Sequence, residues 1–151
     1  FLKYGDFVAR PLQRELRNIM WEHCGVVRDE TKLKNGLKKI KRLKESARFL
    51  DVRPDSEGYE DLMLAFDLEG AIMAAEATML GAKARKESRG SHQRSDYTQT
   101  KQNQEVNYII KLDQHKKLII KSKKLASLSD ELSSLIKKTD EINDFEGKLL
   151  E

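Results

Sequence analysis

Residues 59–88, YEDLMLAFDLEGAIMAAEATMLGAKARKES, carry the strongest helical signal in the chain and decide its fold. Six alanines lie from Ala65 to Ala82, and alanine both favours a helix and lets neighbouring helices approach closely. Larger apolar residues recur along the same run at Leu62, Phe66, Met73 and Leu80. Gly70 and Gly81 each cost about 1 kcal/mol relative to Ala, unless they mark close helix crossings. The stretch predicts a long helix packed against other helices.

Two shorter helices are predicted upstream, over residues 6–24 and 29–49. The first has an apolar face formed by Leu12, Leu16, Ile19, Met20 and Cys24. The second has one formed by Leu33, Leu37, Ile40, Leu43 and Ala47. Gly25 is predicted to end the first helix in a left-handed cap, and Asp29 or Thr31 to cap the second. Three helices with short connections predict an antiparallel, spectrin-like up-down-up bundle.

The periodicity changes after the bundle. Residues 89–105 lose it altogether and predict a loop. Apolar and polar side chains then alternate over residues 106–112, and a second β-rich run follows at 118–121, so the two runs predict a β-hairpin. Ser129 is placed to cap a short final helix.

The chain divides into two parts on this pattern. Residues 1–97 form the three-helix bundle and end in a loop rich in Arg and His, and residues 98–151 form an extension with a β-hairpin and a polar tail. Within the first part, residues 51–58 are a connector, because Pro54, Asp55 and Gly58 break the periodicity. The predicted fold class is mainly α: a three-helix bundle followed by a loop, a β-hairpin and a short C-terminal helix.

Charge and composition argue against several classes of function for this chain. The chain has 29 Lys and Arg against 25 Asp and Glu, but the net charge is +7 over residues 1–50, −6 over 51–70 and +5 over 101–124. Opposed blocks favour self-complementary packing of helices over nucleic-acid binding. A single Cys excludes a disulfide framework and a Cys-based zinc site. No apolar run approaches the ~20 residues that span a bilayer, so direct membrane insertion is not expected.

Candidate catalytic and metal-binding residues are scarce. His23, His92 and His115 lie in three different predicted elements, without ligand spacing or accompanying carboxylates. His115 is expected at an exposed hairpin tip, and Cys24 is expected to be buried and inert. Glu76 lies among alanines and is predicted to form a salt bridge to a neighbouring helix. With no Gly-rich phosphate loop in the sequence, we predict no catalytic, cofactor-binding or metal-binding residue in this chain.

One stretch brings many charged groups together: RKESRGSHQRSDY, residues 85–97, directly behind the longest predicted helix. Its Gly permits a turn with positive φ. Arginine side chains suit bidentate contacts to carboxylates, so the loop either holds a neighbouring surface or an anion, or is a solvated charged turn. The candidate docking residues are Arg85, Glu87, Ser88, Arg89, Gly90, His92, Arg94 and Asp96.

This stretch resembles the C-terminal signature of the succinate dehydrogenase/fumarate reductase flavoprotein family, which includes L-aspartate oxidase. The matching positions are residues 85–90, His92, Arg94, Asp96 and Tyr97. The predicted helices agree at Leu16, Met20, Trp21, Gly25, Val26, Arg28, Leu33, Leu37, Ile40, Leu43, Ala75 and Glu76. The resemblance covers residues 6–97. It departs from the family pattern at Gly70, where Asn is frequent, and at Thr98, where Pro is usual.

The resemblance implies a helical C-terminal domain that packs on the FAD-binding domain of the same polypeptide. The family's flavin fingerprint, substrate-binding His and Arg residues and proton-donating Arg lie N-terminal to this region. We therefore expect no catalysis and no flavin binding here, FAD in the parent oxidoreductase, and a docking role for residues 89–96. The start at Phe1, without Met, fits a piece of a longer polypeptide. The expected location is cytoplasmic, at the inner membrane through partner subunits.

The extension, residues 98–151, helps to distinguish two branches of the family, the dehydrogenase and reductase flavoproteins and the L-aspartate oxidases. L-aspartate oxidases tend to end soon after the loop, whereas 54 residues follow Tyr97 here. Dehydrogenase and reductase flavoproteins carry such extensions and dock an iron–sulfur subunit, so that branch is preferred and that subunit is an expected partner. Two alternatives stay open: the same domain of an L-aspartate oxidase, and a stand-alone basic helical module that binds RNA or an anionic partner through residues 32–48.

Overall fold

The computed structural model describes residues 4–53 and 59–136, and its main elements are three helices. They are α1 (Ala9–Cys24), α2 (Glu30–Ser46) and α3 (Glu60–Ala84), with a 3-10 turn at Ala47–Phe49 directly after α2. The three predicted helices are therefore confirmed, although each is shorter than predicted.

Contacts between helix ends establish the up-down-up order. The backbone N–H of Phe7, just before α1, donates to the carbonyl oxygen of Phe49, just after α2, at 3.1 Å, so these helices run in opposite directions. Arg10, near the start of α1, pairs with Glu60 at the start of α3, so those two helices run in the same direction. The pairing of Phe7 also explains why α1 begins at Ala9 rather than at residue 6.

The buried residues form one core between the three helices. Helices α1 and α2 bury the predicted faces, including Leu12, Leu16, Ile19, Leu33, Ile40 and Leu43. Helix α3 buries a different face from the one marked by its large side chains, since Phe66 is exposed. Its buried residues are Ala65, Leu68, Ile72, Ala75, Met79 and Ala82. Half of them are alanines, so small side chains bring α3 close to its neighbours.

The two predicted helix caps have different outcomes. Of the two predicted candidates, Asp29 and not Thr31 caps α2, because the Asp29 carboxylate accepts from the backbone N–H of Lys32 at 2.8 Å. The left-handed cap predicted at Gly25 is wrong, because Gly25 has a φ of −65° and a ψ of −154°. Glycine is needed there for space instead: a Cβ would lie 2.7 Å from the carbonyl oxygen of Trp21.

Four short strands form two separate pairs among the described residues. β1 (Val27–Arg28) pairs in parallel with β2 (Gln93–Arg94), which joins the loop after α3 to the connection between α1 and α2. β3 (Val106–Leu112) and β4 (Leu118–Lys124) form the predicted antiparallel hairpin. The second strand extends beyond the predicted residue 121 because its ladder continues until Lys124 faces Val106.

The hairpin lies against α3, which supplies the support that an isolated hairpin lacks. The hydroxyl of Tyr108 donates to the carbonyl oxygen of Ala84 at 3.2 Å. A Cβ on Gly81 would lie 3.6 Å from Cδ1 of Ile110, an ordinary packing distance. The inward-facing positions alternate along β3 as predicted.

The described chain ends in the start of the predicted C-terminal helix. Residues 130–136 are helical, and Oγ of Ser129 accepts from the backbone N–H of Leu132 at 3.3 Å, as the predicted cap requires. The remaining tail and the connector residues Pro54, Asp55 and Gly58 lie outside the described residues. The division at residue 97 stays a prediction. In the described ranges, no helix is both long and apolar enough to cross a bilayer.

Two helical glycines have opposite surroundings. At Gly36 in α2, an added Cβ would lie 2.7 Å from Cβ of His23 and 2.7 Å from Sδ of Met79, so the three helices cross closely at this point. At Gly70 in α3, the added Cβ would have no atom of the described residues within 4 Å, apart from its chain neighbours and the nearby backbone of α3 itself. The close crossing considered for Gly70 therefore lies at Gly36.

We predict opposite effects for alanine at these two positions. Gly36→Ala forces shifts at the crossing, and overpacking of this kind costs about 1–3 kcal/mol. Gly70→Ala restricts the unfolded chain without a clash and stabilises by about 0.4–1 kcal/mol. Urea unfolding followed by circular dichroism measures both free energies. A stabilised Gly36→Ala variant would contradict the crossing.

Candidate functional site

The loop behind α3 is organised around Arg94, whose residue is only 1% exposed. Its Nη1 donates at 2.9 Å to the carbonyl oxygen of Ala82, in the last turn of α3, where carbonyls lack helical partners. Its backbone N–H donates to Oγ of Ser88 at 2.9 Å, and that hydroxyl donates to the carbonyl oxygen of Tyr97 at 2.9 Å. The loop thus folds back on the helix end, which explains why α3 stops at Ala84 rather than at residue 88.

Asp96 joins Arg94 to the start of α2. Its two carboxylate oxygens accept from Nε and Nη2 of Arg94, both at 2.7 Å, in a bidentate pair. Oδ2 also accepts from the backbone N–H of Glu30, the first residue of α2, at 2.9 Å. Hydrogen bonding to Arg94 is the main cause that lowers the pKa of Asp96 to about 2. One ion pair therefore connects the positive end of α2 with the negative end of α3.

A second carboxylate, Glu87, is fully buried and is surrounded by donors. Arg85 and Arg89 donate to its Oε1 at 2.6 and 2.9 Å, and the backbone N–H of Lys101 donates to Oε2 at 2.8 Å. The hydrogen bond from Arg89 is the largest cause that lowers the pKa of Glu87 to about 2, against the opposing effect of burial. Glu87 is therefore ionised near neutral pH and holds residues 85–89 against Lys101, which lies beyond the loop.

Arg85 connects this carboxylate to the hairpin. It donates to the carbonyl oxygens of Gln104 at 2.9 Å and Val106 at 2.7 Å. Its guanidinium also lies 5.0 Å from the centre of the Tyr108 ring, within the range of a cation–π contact. The first residues of β3 are thus fixed by the same side chain that binds Glu87.

The tip of the loop is a tight turn at Gly90. The backbones of Arg89 and His92 exchange hydrogen bonds of 2.9 and 3.0 Å around it, and the φ of +56° at Gly90 confirms the predicted turn. Nη1 of Arg28 lies 2.8 Å from Nδ1 of His92, and arginine only donates, so Nδ1 accepts and Nε2–H points to the carbonyl oxygen of Arg85 at 3.3 Å. Burial is the main cause that lowers the pKa of His92, in agreement with a neutral ring.

The structure brings all eight predicted site residues into one set of contacts, which we call the signature loop (residues 85–97). Their bonds are made within this chain; their docking role stays a prediction. Sequence reasoning missed Glu30 and Tyr108 as residues that contact this loop. They lie in other elements, and no spacing in the sequence marks them. For Arg28 the sequence did offer one indication, because Arg28 is among the positions that match the family pattern.

Other candidate side chains have structural surroundings. Glu76 pairs at 2.8 Å with a lysine of α2, which confirms the predicted salt bridge between helices. Cys24 is buried as predicted, and burial raises the pKa of its thiol. Nε2 of buried His23 lies 3.3 Å from the neighbouring glutamate, but neither ring nitrogen hydrogen-bonds to a described residue. His115 is exposed in the hairpin loop, as predicted. Across the described ranges, no three His, Cys, Asp or Glu residues are grouped to hold a metal ion.

The described residues do not fit a flavin. FAD is bound where a glycine-rich loop joins a strand to a helix N-terminus, at which its pyrophosphate sits. Within residues 4–53 and 59–136, no such loop connects a strand to a helix. What the signature loop can do chemically is ion pairing that fixes chain segments relative to one another.

Comparison with known proteins gives a family match and several relatives. The family model described as the fumarate reductase flavoprotein C-terminus matches residues 13–133. An uncharacterized FAD-dependent oxidoreductase of Methanocaldococcus jannaschii is 35% identical over 107 residues, which are 71% of this chain and 19% of that protein. The fumarate reductase flavoprotein subunit of Haemophilus influenzae is 33% identical over 99 residues, covering 65% of this chain and 16% of the subunit.

An L-aspartate oxidase and a solved structure are also similar. The L-aspartate oxidase of Pyrococcus furiosus is 35% identical over 83 residues, covering 55% of this chain and 13% of the oxidase. The structure of E. coli quinol fumarate reductase superposes with a TM-score of 0.76 at 23% identity, covering 84% of this chain and 23% of that one. It therefore has the same fold, and this chain spans less than a quarter of the length of each of these four proteins.

Loss of Arg94 is predicted to destabilise the bundle itself. Arg94→Ala removes the bidentate donor of Asp96 and the donor to the carbonyl oxygen of Ala82, and a group that loses its partner in this way costs about 1–3 kcal/mol. Arg89→Ala is the matched control, because Glu87 keeps its other donors. Urea unfolding at pH 7 measures both variants. An equal loss of stability in the two would contradict the central position of Arg94.

The two carboxylates predict how stability depends on pH. Their folded pKa values of about 2 lie below the ordinary values of 4.5 for Glu87 and 3.8 for Asp96. Their stabilisation is therefore complete above about pH 5 and is lost as the pH falls towards 2. We expect wild-type stability to fall steeply over that range, and the double variant Glu87→Gln/Asp96→Asn to fall less steeply. Parallel acid-unfolding curves would disprove the linkage.

Proposed function

This chain belongs to the fumarate reductase flavoprotein C-terminal family, and from that membership we propose a mechanical function for it. It is the non-catalytic C-terminal domain of a succinate dehydrogenase or fumarate reductase flavoprotein subunit. It packs on the FAD-binding domain of the same polypeptide. FAD and the redox chemistry of this oxidoreductase reside in that other domain, and the present chain supplies a rigid support.

The observation that carries this proposal is the internal use of the signature loop. Glu87 and Arg94 are buried, and their charged groups form hydrogen bonds to other described residues of this chain. Groups held in this way cannot turn towards a substrate, but they make the end of the bundle stiff. Arg89 and Gly90 remain at the rim of that stiff end, where a neighbouring domain can reach them.

Two further parts of the proposal concern assembly. An iron–sulfur subunit is a second partner of the parent, and the hairpin supplies an outward face for that contact or for the flavoprotein's own surface. The parent is cytoplasmic and is held at the inner membrane through its partner subunits. Purification of the parent with its associated chains, and fractionation of the cells that express it, test these two statements.

The preferred branch is supported by the length of the match. The match to the H. influenzae fumarate reductase flavoprotein subunit covers 99 residues, whereas the match to the P. furiosus L-aspartate oxidase covers 83. The alternative is the same domain of an L-aspartate oxidase. Assay of the parent for succinate oxidation, fumarate reduction and L-aspartate oxidation distinguishes the two branches.

The stand-alone basic module has less support, because carboxylates of this chain pair with four lysines of α2. Four lysines of its basic face pair within this chain: Lys32 with Asp29 at 3.8 Å, Lys34 with Glu30 at 3.3 Å, Lys39 with Glu22 at 3.0 Å and Lys44 with Glu76 at 2.8 Å. These pairs favour helix packing over nucleic-acid binding. RNA binding with a steep dependence on salt would reverse that preference.

If the signature loop docks on the FAD-binding domain, a substitution at its rim should affect association and stability to different extents. Arg89→Ala should weaken association with an FAD-binding domain, co-expressed as a separate chain, more than it lowers the melting temperature of this chain. The reason is that Arg89 is half-exposed at the rim, and its partner Glu87 keeps the donors Arg85 and Lys101. Co-purification and thermal melts measure the two effects. A large drop in melting temperature with unchanged association would contradict the docking role.

A further inference from the structure

The outer face of α1 carries an arginine and tryptophan stripe that the proposed function does not yet use. Its members recur at intervals of four, three and four residues, which places them on one side of the helix: Arg10, Arg14, Arg17 and Trp21. This side lies opposite the buried face of α1, and all four residues are exposed. The stripe is therefore presented outward along the whole helix.

The C-terminal half of the stripe continues as an apolar surface. Trp21 is the only tryptophan of the chain and is 82% exposed, which is unusual for so large an aromatic residue. Val26 and Val27 follow it, 71% and 53% exposed. Val27 belongs to β1, which pairs with Gln93 in the signature loop. The apolar surface and the loop are thus neighbours on one end of the bundle.

The charges around this surface are not neutralised within the described residues. Arg10 pairs with Glu60, but neither Arg14 nor Arg17 forms an ion pair with a described residue. The face thus combines an apolar centre with flanking positive charge; we call it the α1 patch, formed by Arg14, Arg17, Trp21, Val26 and Val27. Its complement is a protein surface with an apolar pocket bordered by carboxylates. Tryptophan and arginine are the residues that most often dominate binding at such contacts.

We propose that the α1 patch is the face on which the FAD-binding domain docks, with Trp21 inserted into an apolar pocket bordered by carboxylates. This inference rests on the proposed function and adds the face and the chemistry of the contact. We choose the FAD-binding domain as the docking partner because this chain spans 23% of the E. coli fumarate reductase chain. The larger part of a parent of that length would lie outside this chain. Docking at this end of the bundle would also place the FAD-binding domain against the signature loop.

Hydroxyl-radical footprinting of the isolated chain and of the intact parent tests the inference without dividing the parent. Trp21 should react readily in the isolated chain and about fivefold or more slowly in the parent, as for a residue in the core of an interface. Phe49 is the matched control, because it is an exposed aromatic residue, 58% exposed, after the other end of the helix pair. Its reactivity should stay the same.

The outcomes separate the inference from the proposed function. If other residues of this chain are protected in the parent but Trp21 is not, the α1 patch is wrong and the proposed function stands. If no residue gains protection in the parent, both fail. If Trp21 is already protected in the isolated chain and becomes reactive on dilution, a second copy is the occupant and the inference is overturned.

A pair of variants gives an independent readout. Trp21→Ala should leave the melting temperature of the isolated chain unchanged, because its side chain lies in solvent there, and should increase the rate at which the parent releases FAD. Phe49→Ala should change neither value. Equal FAD release by the parent with Trp21→Ala and by the wild-type parent would contradict the inference.

Discussion

The ion pair between Arg94 and Asp96 is the interaction on which the rest of the structure depends. The guanidinium donates to a carbonyl oxygen in the last turn of α3, and the carboxylate accepts from the first N–H of α2, 66 residues away in sequence. Each charge therefore lies at the helix end of opposite partial charge. A buried arginine is costly unless its donors are satisfied, and here they are. The signature loop, and through Arg85 the start of the hairpin, take their positions from this pair.

Local patterns in the sequence were sufficient for much of the fold. Apolar spacing located the helices, alternation located the hairpin, and Asp29 and Thr31 were the two candidate caps of α2, of which the structure selects Asp29. The failures have a common physical cause, because they depend on contacts between elements. Gly25 was expected to need a left-handed backbone, but it needs space beside a carbonyl oxygen. The close helix crossing lies at Gly36, where two other helices supply the neighbouring atoms.

The eight residues of the candidate site lie together in the structure, which adds how their groups are bonded; their docking role stays a prediction. The concentration of arginines and carboxylates in residues 85–97 left open contacts to a neighbouring surface or an anion and a solvated turn, but no sequence pattern shows that Arg94 is buried or that its partner carboxylate caps a distant helix. A charged loop of this kind is easily mistaken for an exposed binding surface. Most of its charges are bonded within the described chain, so the surface open to a larger partner consists of the rim at Arg89 and Gly90 and the apolar surface beside it, around Trp21.

The central claim is that Arg94 and Asp96 act as one unit that ties α2 to α3. A double-mutant cycle with Arg94→Met and Asp96→Asn, followed by urea unfolding at pH 7, measures this directly. Directly bonded residues of this type show coupling energies on the order of 0.5–3 kcal/mol, and we expect a value in the upper half of that range. A coupling energy within about 0.3 kcal/mol of zero, the scatter for independent sites, would contradict the account.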